Sequence, residues 1–215
     1  MAPVPRGKLR GMTMVKVCGM TNVADVRAAA EAGADAVGFI FAESPRRVGA
    51  EEARRISIAL PENVLKVGVF VNAPPEEVLR TAAEAGLDMA QLHGDETPEV
   101  VAAIRAGGLP VMKALRVRNA DDLAGVERFE ADLLLLDAYS EEARGGTGRR
   151  FDWGLAKSLK GRGNIVVSGG LAPENVRAAV DFFEPYGVDA SSSLEDAPGK
   201  KNEESVRRFI VAAKG

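Results

Sequence analysis

The sequence predicts an α/β chain folded as a single (β/α)8 TIM barrel, and three observations carry that expectation. Short apolar runs rich in Val, Ile, Leu and Phe alternate with amphipathic stretches along the whole of the 215 residues. Most runs are nearly continuous in apolar character, as parallel strands covered on both faces require. An internal echo, AEAGADAVGFIF at 30–41 and AEAGLDMAQLHG at 83–94, repeats the order helix end, glycine, aspartate, strand. Eight such units in one chain suit a closed barrel better than an open doubly wound sheet.

The elements follow in order. VKVCG (15–19) is the first strand, and VADVRAAAEAG (23–33) the helix behind it. Asn22, with Asp25 three positions on, resembles a capping arrangement, and Gly33 reads as the C-terminal cap. AVGFIF (36–41) is the second strand and VLKVGVFV (64–71) the third. PEEVLRTAAEAG (75–86) starts with proline and closes at Gly86, a start and stop signal in one segment. MAQLHG (89–94), the helix PEVVAAIRAGG (98–108), PVMKALRV (110–117) and DLLLLDA (132–138) continue the alternation. NIVVSGG (164–170), the helix PENVRAAVDFF (173–183) and GVDASSS (187–193) complete it. No linker or composition shift marks a second domain. The barrel is assigned to residues 14–215, and residues 1–13 to a disordered N-terminal tail.

Composition narrows the function. A hydrophobic fraction of 46% and a charged fraction of 27% belong to a folded globule. A net charge of −3 offers no basic surface for nucleic acid. No apolar stretch reaches the roughly 18 residues of a membrane span. The leading MAPVPRGKLRGMT lacks the apolar core of a secretory signal, and one cysteine makes no intramolecular disulfide. A cytoplasmic protein is expected.

The fold then locates the chemistry. Barrels of this kind work at the carboxyl ends of their strands. Those ends hold Cys18, Phe41, His93, Asp137, Gly169, Gly170, Ser191 and Ser192. VVSGGLAPENV and VDASSSLED, after strands seven and eight, combine turns with exposed N–H groups where this fold often binds phosphate. The alternative for Gly169 and Gly170 is a tight turn alone. Asp137 ends a run so apolar that its carboxyl emerges at the strand's tip, either as a general acid with a raised pKa or as a cap or ion-pair partner. Cys18 is either a small buried hydrophobe or a base whose thiolate the strand end and a nearby helix N-terminus stabilise. A base on strand one and an acid on strand six face each other across the mouth. Arg46 and Arg47, in ESPRRVG, are either solvated charges or a bidentate grip on a carboxylate. ARGGTGRRFDW (143–153) is a lid or a plain loop on the same face. His93 faces the mouth as the chain's single histidine, which argues against a metal-dependent epimerase. Lys113 reaches the mouth with no partner to assign it a role.

Together KVCGMT, GADAVGFIF with SPRRV, KVGVFVN, QLHG, LLLDA, GGTGRRFDW, SGGLAPENV and VDASS resemble the phosphoribosylanthranilate isomerase family of tryptophan biosynthesis. The motifs keep the family's order from about Val15 onward, and the ordered set is specific where each motif alone is not. The resemblance implies an intramolecular oxidoreductase that needs no cofactor and no metal. Its reaction is the Amadori rearrangement of N-(5-phosphoribosyl)anthranilate to 1-(2-carboxyphenylamino)-1-deoxyribulose 5-phosphate. It also implies Cys18 as general base, Asp137 as general acid and Arg46 at the anthranilate end, with His93, Gly169, Gly170, Ser191 and Ser192 binding substrate. The partner is then a small phosphoribosyl molecule, and the chain a monomer or homodimer. The histidine-pathway aldose–ketose isomerase, the nearest rival, has aspartate where Cys18 stands. A silent phosphosugar-binding protein is the rival of another class, and the Cys18–Asp137 pair speaks against it. One departure stands out: Ser193 occupies the place of a usual glycine. A positive φ there strains serine and a close backbone approach weakens phosphate binding, unless the hydroxyl itself donates a hydrogen bond.

Overall fold

The computed structural model describes residues 13–138 and 153–215. The leading tail, apart from the buried Thr13, and the proposed lid segment, apart from Trp153, lie outside the described residues.

Eight parallel strands close into a barrel. They are β1 (Met14–Cys18), β2 (Ala36–Ile40), β3 (Leu65–Phe70), β4 (Met89–Leu92), β5 (Val111–Val117), β6 (Leu133–Ala138), β7 (Ile165–Val167) and β8 (Gly187–Ala190). Each pairs with the next, and β8 closes on β1 with Lys16 opposite Asp189. The apolar runs thus correspond to strands, most of them trimmed by a residue or two, while β7 and β8 end three residues before their runs do and β1 starts one residue earlier.

The side-chain period of two explains the layering. Val15, Val17, Val37, Phe39, Leu134 and Leu136 belong to the outer core, packed with helix residues such as Val26, Phe183 and Phe209. Ala36, Val67, Met89, Met112, Ala114, Leu133, Leu135 and Val166 face inward and fill the lower barrel. Above them the inward positions turn polar: Lys16, Gln91, Asp137 and Asp189 are all buried.

The helices are α1 (Val23–Glu31), α2 (Ala50–Ser57), α3 (Pro75–Ala85), α4 (Pro98–Ala106), α5 (Val176–Phe183) and α6 (Glu203–Lys214). Asn22 caps α1 by accepting from the Asp25 N–H at 2.9 Å, and Gly86 ends α3 in the left-handed conformation, as expected. Two of the expected units differ. After β5 the chain makes two 3-10 turns, Ala120–Leu123 and Val126–Phe129, and before β7 a third, Trp153–Leu159. A capping box at Asn119 and Asp122 opens the first turn, and left-handed residues at Gly125 and Glu130 bracket the second, so no α-helix propagates.

α5 starts three residues later than PENV suggested. Asn175 does not cap it; its side chain turns back, accepting from Ala172 N–H and donating to Gly170 O, both at 2.9 Å. After β8 a short antiparallel hairpin, β9 (Glu195–Ala197) and β10 (Lys200–Lys201), precedes α6, which packs on α1, α5 and β1.

Candidate active site

A cavity of about 690 Å³ opens at the carboxyl ends of the strands. Cys18, Arg46, His93, Asp137, Gly169, Gly170, Ser191 and Ser192 all line it, so one cavity unites the residues that the family resemblance assigns to substrate or chemistry. Phe41 stays out, stacked on Phe70 with ring centroids 5.2 Å apart. Arg47 is exposed and contributes nothing to the lining.

On the β1 wall, Cys18 is only 6% exposed yet borders the cavity. Two residues back on the same face lies Lys16, fully buried, its Nζ 2.8 Å from Asp189 Oδ1. Ser168 on the β7 side donates to the other carboxylate oxygen of Asp189 at 3.3 Å. Gly38 makes room for this cluster: a Cβ there would lie 2.6 Å from Cys18 Sγ and 3.1 Å from Lys16 Nζ. The expected thiolate-favouring environment is overturned for the free site. Burial holds the Cys18 thiol above its ordinary range and Asp189 adds to that, against the opposing pull of the Lys16 and Lys201 ammoniums. For Lys16, burial favours the neutral amine, but Asp189 and Cys18 outweigh it and hold the ammonium above its ordinary range.

The opposite wall is built from β4 and β6. Asp137, 2% exposed, meets His93 Nε2 through Oδ2 at 3.0 Å. His93 Nδ1 lies 2.9 Å from Gln91 Nε2. One ring nitrogen thus faces the amide and the other faces the carboxyl. His93 therefore orients the carboxyl through one oxygen and leaves the other for a ligand.

Arg46 already has a carboxylate partner within the chain. Its fork is already engaged, Nε donating to Glu195 Oε1 at 2.9 Å and Nη2 to Oε2 at 2.7 Å. Lys201 Nζ donates to Glu195 Oε1 at 2.7 Å and to the Ser191 carbonyl at 3.3 Å. Burial raises the Glu195 carboxyl, but Arg46 and Lys201 overrule it and set it below the ordinary glutamate range. The guanidinium is thus fixed by its Nε edge, and the residue borders the cavity.

At the far end, Gly169 and Gly170 take φ of 83° and 66°, a double left-handed turn that side chains disfavour. Asn175 pins this turn, and Ser193 Oγ donates to the Leu171 carbonyl, tying the loop after β8 to the loop after β7. Ser193 is not among the described residues of positive φ, so the expected strain is absent, and its hydroxyl is engaged by the Leu171 carbonyl. Lys113 points elsewhere, pinned to Gly94 O at 2.9 Å and Glu96 Oε2 at 2.8 Å.

Sequence reasoning passed over Lys16, Gln91, Asp189, Glu195 and Lys201. The signal existed for three of them: Lys16, Gln91 and Asp189 are polar residues inside apolar runs, on the inward face of their strands. Among the described residues no group of three or more His, Cys, Asp or Glu could hold a metal ion, and no helix is long and apolar enough to cross a membrane.

Fold and cavity together define an α/β barrel protein with a thiol and a carboxyl on opposing walls of a polar mouth. Residues 15–212 match the family model described as N-(5'phosphoribosyl)anthranilate (PRA) isomerase, and the chain belongs to that family. A relative from Rubrobacter xylanophilus, N-(5'-phosphoribosyl)anthranilate isomerase, is 68% identical over 205 residues, covering 94% of this chain and all of the relative. The crystal structure of phosphoribosyl anthranilate isomerase from Thermotoga maritima is 44% identical, with a TM-score of 0.88 over 95% of this chain and 100% of that one. A phosphoribosyl anthranilate isomerase in complex with reduced 1-(o-carboxyphenylamino)-1-deoxyribulose 5-phosphate superposes with a TM-score of 0.85 at 43% identity, covering 95% of this chain and 100% of that one.

Proposed function

We propose that Asp137 and Cys18 carry the two proton transfers by which this chain isomerises N-(5'-phosphoribosyl)anthranilate. The activity itself is that of its family. The observation that supports these roles is the single cavity, with Cys18 on β1 and Asp137 on β6 facing it from opposing walls.

Asp137, steadied by His93, gives its proton to the furanose ring oxygen. The C1–O bond breaks and the nitrogen lone pair forms the iminium. That cation acidifies the C2–H bond. Cys18 takes the C2 proton as a thiolate, and the freed electron pair makes the C1=C2 double bond while the iminium nitrogen is neutralised. The resulting enolamine tautomerises to the ketone. Positioned acids and bases of this kind each contribute about 10²–10⁴-fold.

The Gly169–Gly170 turn with Ser191 and Ser192 holds the phosphate, and the free edge of Arg46 holds the anthranilate carboxylate. A buried fork of this sort gives direction as well as charge. The reaction proceeds in the cytoplasm, as composition predicts, on a small phosphoribosyl substrate. The test is turnover of N-(5'-phosphoribosyl)anthranilate by the purified chain beside its Cys18→Ala variant. Undiminished turnover in that variant removes Cys18 from the base role.

A further inference from the structure

The cavity's β1 wall contains one feature that the proton transfers above do not use. A buried lysine and a buried aspartate lie directly beneath the thiol, in register across the strands that close the barrel. Such a pair has no evident reason to exist for stability alone. Desolvating two charges offsets most of their attraction, and apolar residues of similar volume commonly hold a fold as well or better. The strand period places Lys16 and Cys18 on one face, and the missing side chain at Gly38 lets Nζ and Sγ share one pocket.

We propose that Lys16 is the positioning residue of the base, its ammonium stabilising the Cys18 thiolate as it forms, with Asp189 keeping that ammonium charged and in place. The inference rests on Cys18 acting as the base. Burial works against a thiolate here, so a cation must be supplied locally. Four described charges act on the sulfur: Lys16 from its own strand, Asp189 from β8, Lys201 from β10 and Arg46 from the loop after β2. Lys201 and Arg46 both pair with Glu195, whereas Lys16 shares with the sulfur the space that Gly38 leaves open, which makes it the cation of the thiol's own pocket. Asp189 is in turn braced by Ser168, so the lysine cannot swing toward the ligand without losing its partner.

The experiment reads the thiol directly. The full-length chain holds one cysteine, so its alkylation by iodoacetamide against pH reports Cys18 alone. The double variant Lys16→Met/Asp189→Asn removes the pair without leaving an unpaired charge. Its alkylation midpoint moves up by about one pH unit, equivalent to roughly tenfold less thiolate at neutral pH. The pH profile of kcat/KM moves alkaline by the same amount with KM nearly unchanged. Lys16→Arg restores most of both. If the double variant does not fold, Asp189→Asn alone is measured, and its midpoint moves up because the lysine loses the partner that keeps it charged and in place. A parental midpoint in the folded double variant, no rescue by Lys16→Arg, or an unmoved or lowered midpoint in Asp189→Asn overturns the proposal. Retained turnover in Cys18→Ala, by contrast, overturns the base assignment and leaves the alkylation result standing by itself.

Discussion

Around Cys18 the wall of the cavity is crowded with charge: Lys16 and Asp189 beneath it, and Arg46, Glu195 and Lys201 beside it. Around Asp137 the partners are an imidazole and, behind it, a carboxamide. On the roles proposed above, the contrast follows from what each group does. A buried thiol becomes a base only if something stabilises its anion, so the β1 wall is built from ions. A carboxyl that is to deliver a proton must not be locked as an anion by a permanent cation. It needs direction without a fixed charge, and His93 supplies that. The barrel interior thus holds two electrostatic regimes above one apolar floor.

The severest way to break the comparison is to remove either proton carrier. Cys18→Ala and Asp137→Asn each lower kcat by at least about 10²-fold, measured in steady-state turnover, while circular dichroism shows the fold retained. Equal activity in either variant sinks the division of labour between the walls. Next comes the orienting imidazole. His93→Ala leaves Asp137 unaimed and lowers kcat by about 10- to 10²-fold, with KM changed far less. A loss confined to KM instead makes His93 a contact for substrate rather than for Asp137.

The charged wall predicts a different signature. Arg46→Lys keeps the charge but loses the fork that Glu195 grips, and KM rises about tenfold, as expected for losing one charged hydrogen bond of roughly 1.5–3 kcal/mol. Glu195 sharpens the same point through pH. Its carboxyl is held below the ordinary range by Arg46 and Lys201, so its stabilising effect is complete above the unfolded glutamate value and fades as pH falls through the lower folded one. Glu195→Gln therefore flattens the acid limb of thermal stability, and a limb identical to the parent's disproves the assignment. The smallest effect is expected at Ser193. Ser193→Gly removes the hydroxyl that bridges to the Leu171 carbonyl, costing about 0.5–1.5 kcal/mol of stability and changing KM by less than about threefold.

How far the sequence reached depends on which physical rule carried each reading. Strand positions were legible because parallel strands must be apolar on both faces, and VKVCG or LLLLDA admits little else. Helices with a clear start and stop, such as that ending at Gly86, were legible for the same kind of local reason. The segment after β5 was not, because Asn119 and Gly125 favour single turns whose summed effect defeats a helix. Asn175 looked like part of a helix start and proved to be the pin of the glycine turn. In the site, Cys18 and Asp137 could be nominated from the strand ends alone. Their surroundings could not, since Lys16 meets Asp189 only through the register of β1 with β8, across 173 positions of chain. Nor does local sequence reveal that Arg46 is clasped by Glu195, 149 positions away.

That closing register has a consequence for how the molecule comes into being. On a ribosome, Cys18 and Lys16 emerge among the earliest residues and Asp189 among the last. Until β8 docks along β1, the lysine has no counter-ion and the sulfur no finished surroundings. The seam that makes the sheet a cylinder also brings the lysine its counter-ion, so on the proposed roles the base is completed only as the barrel closes.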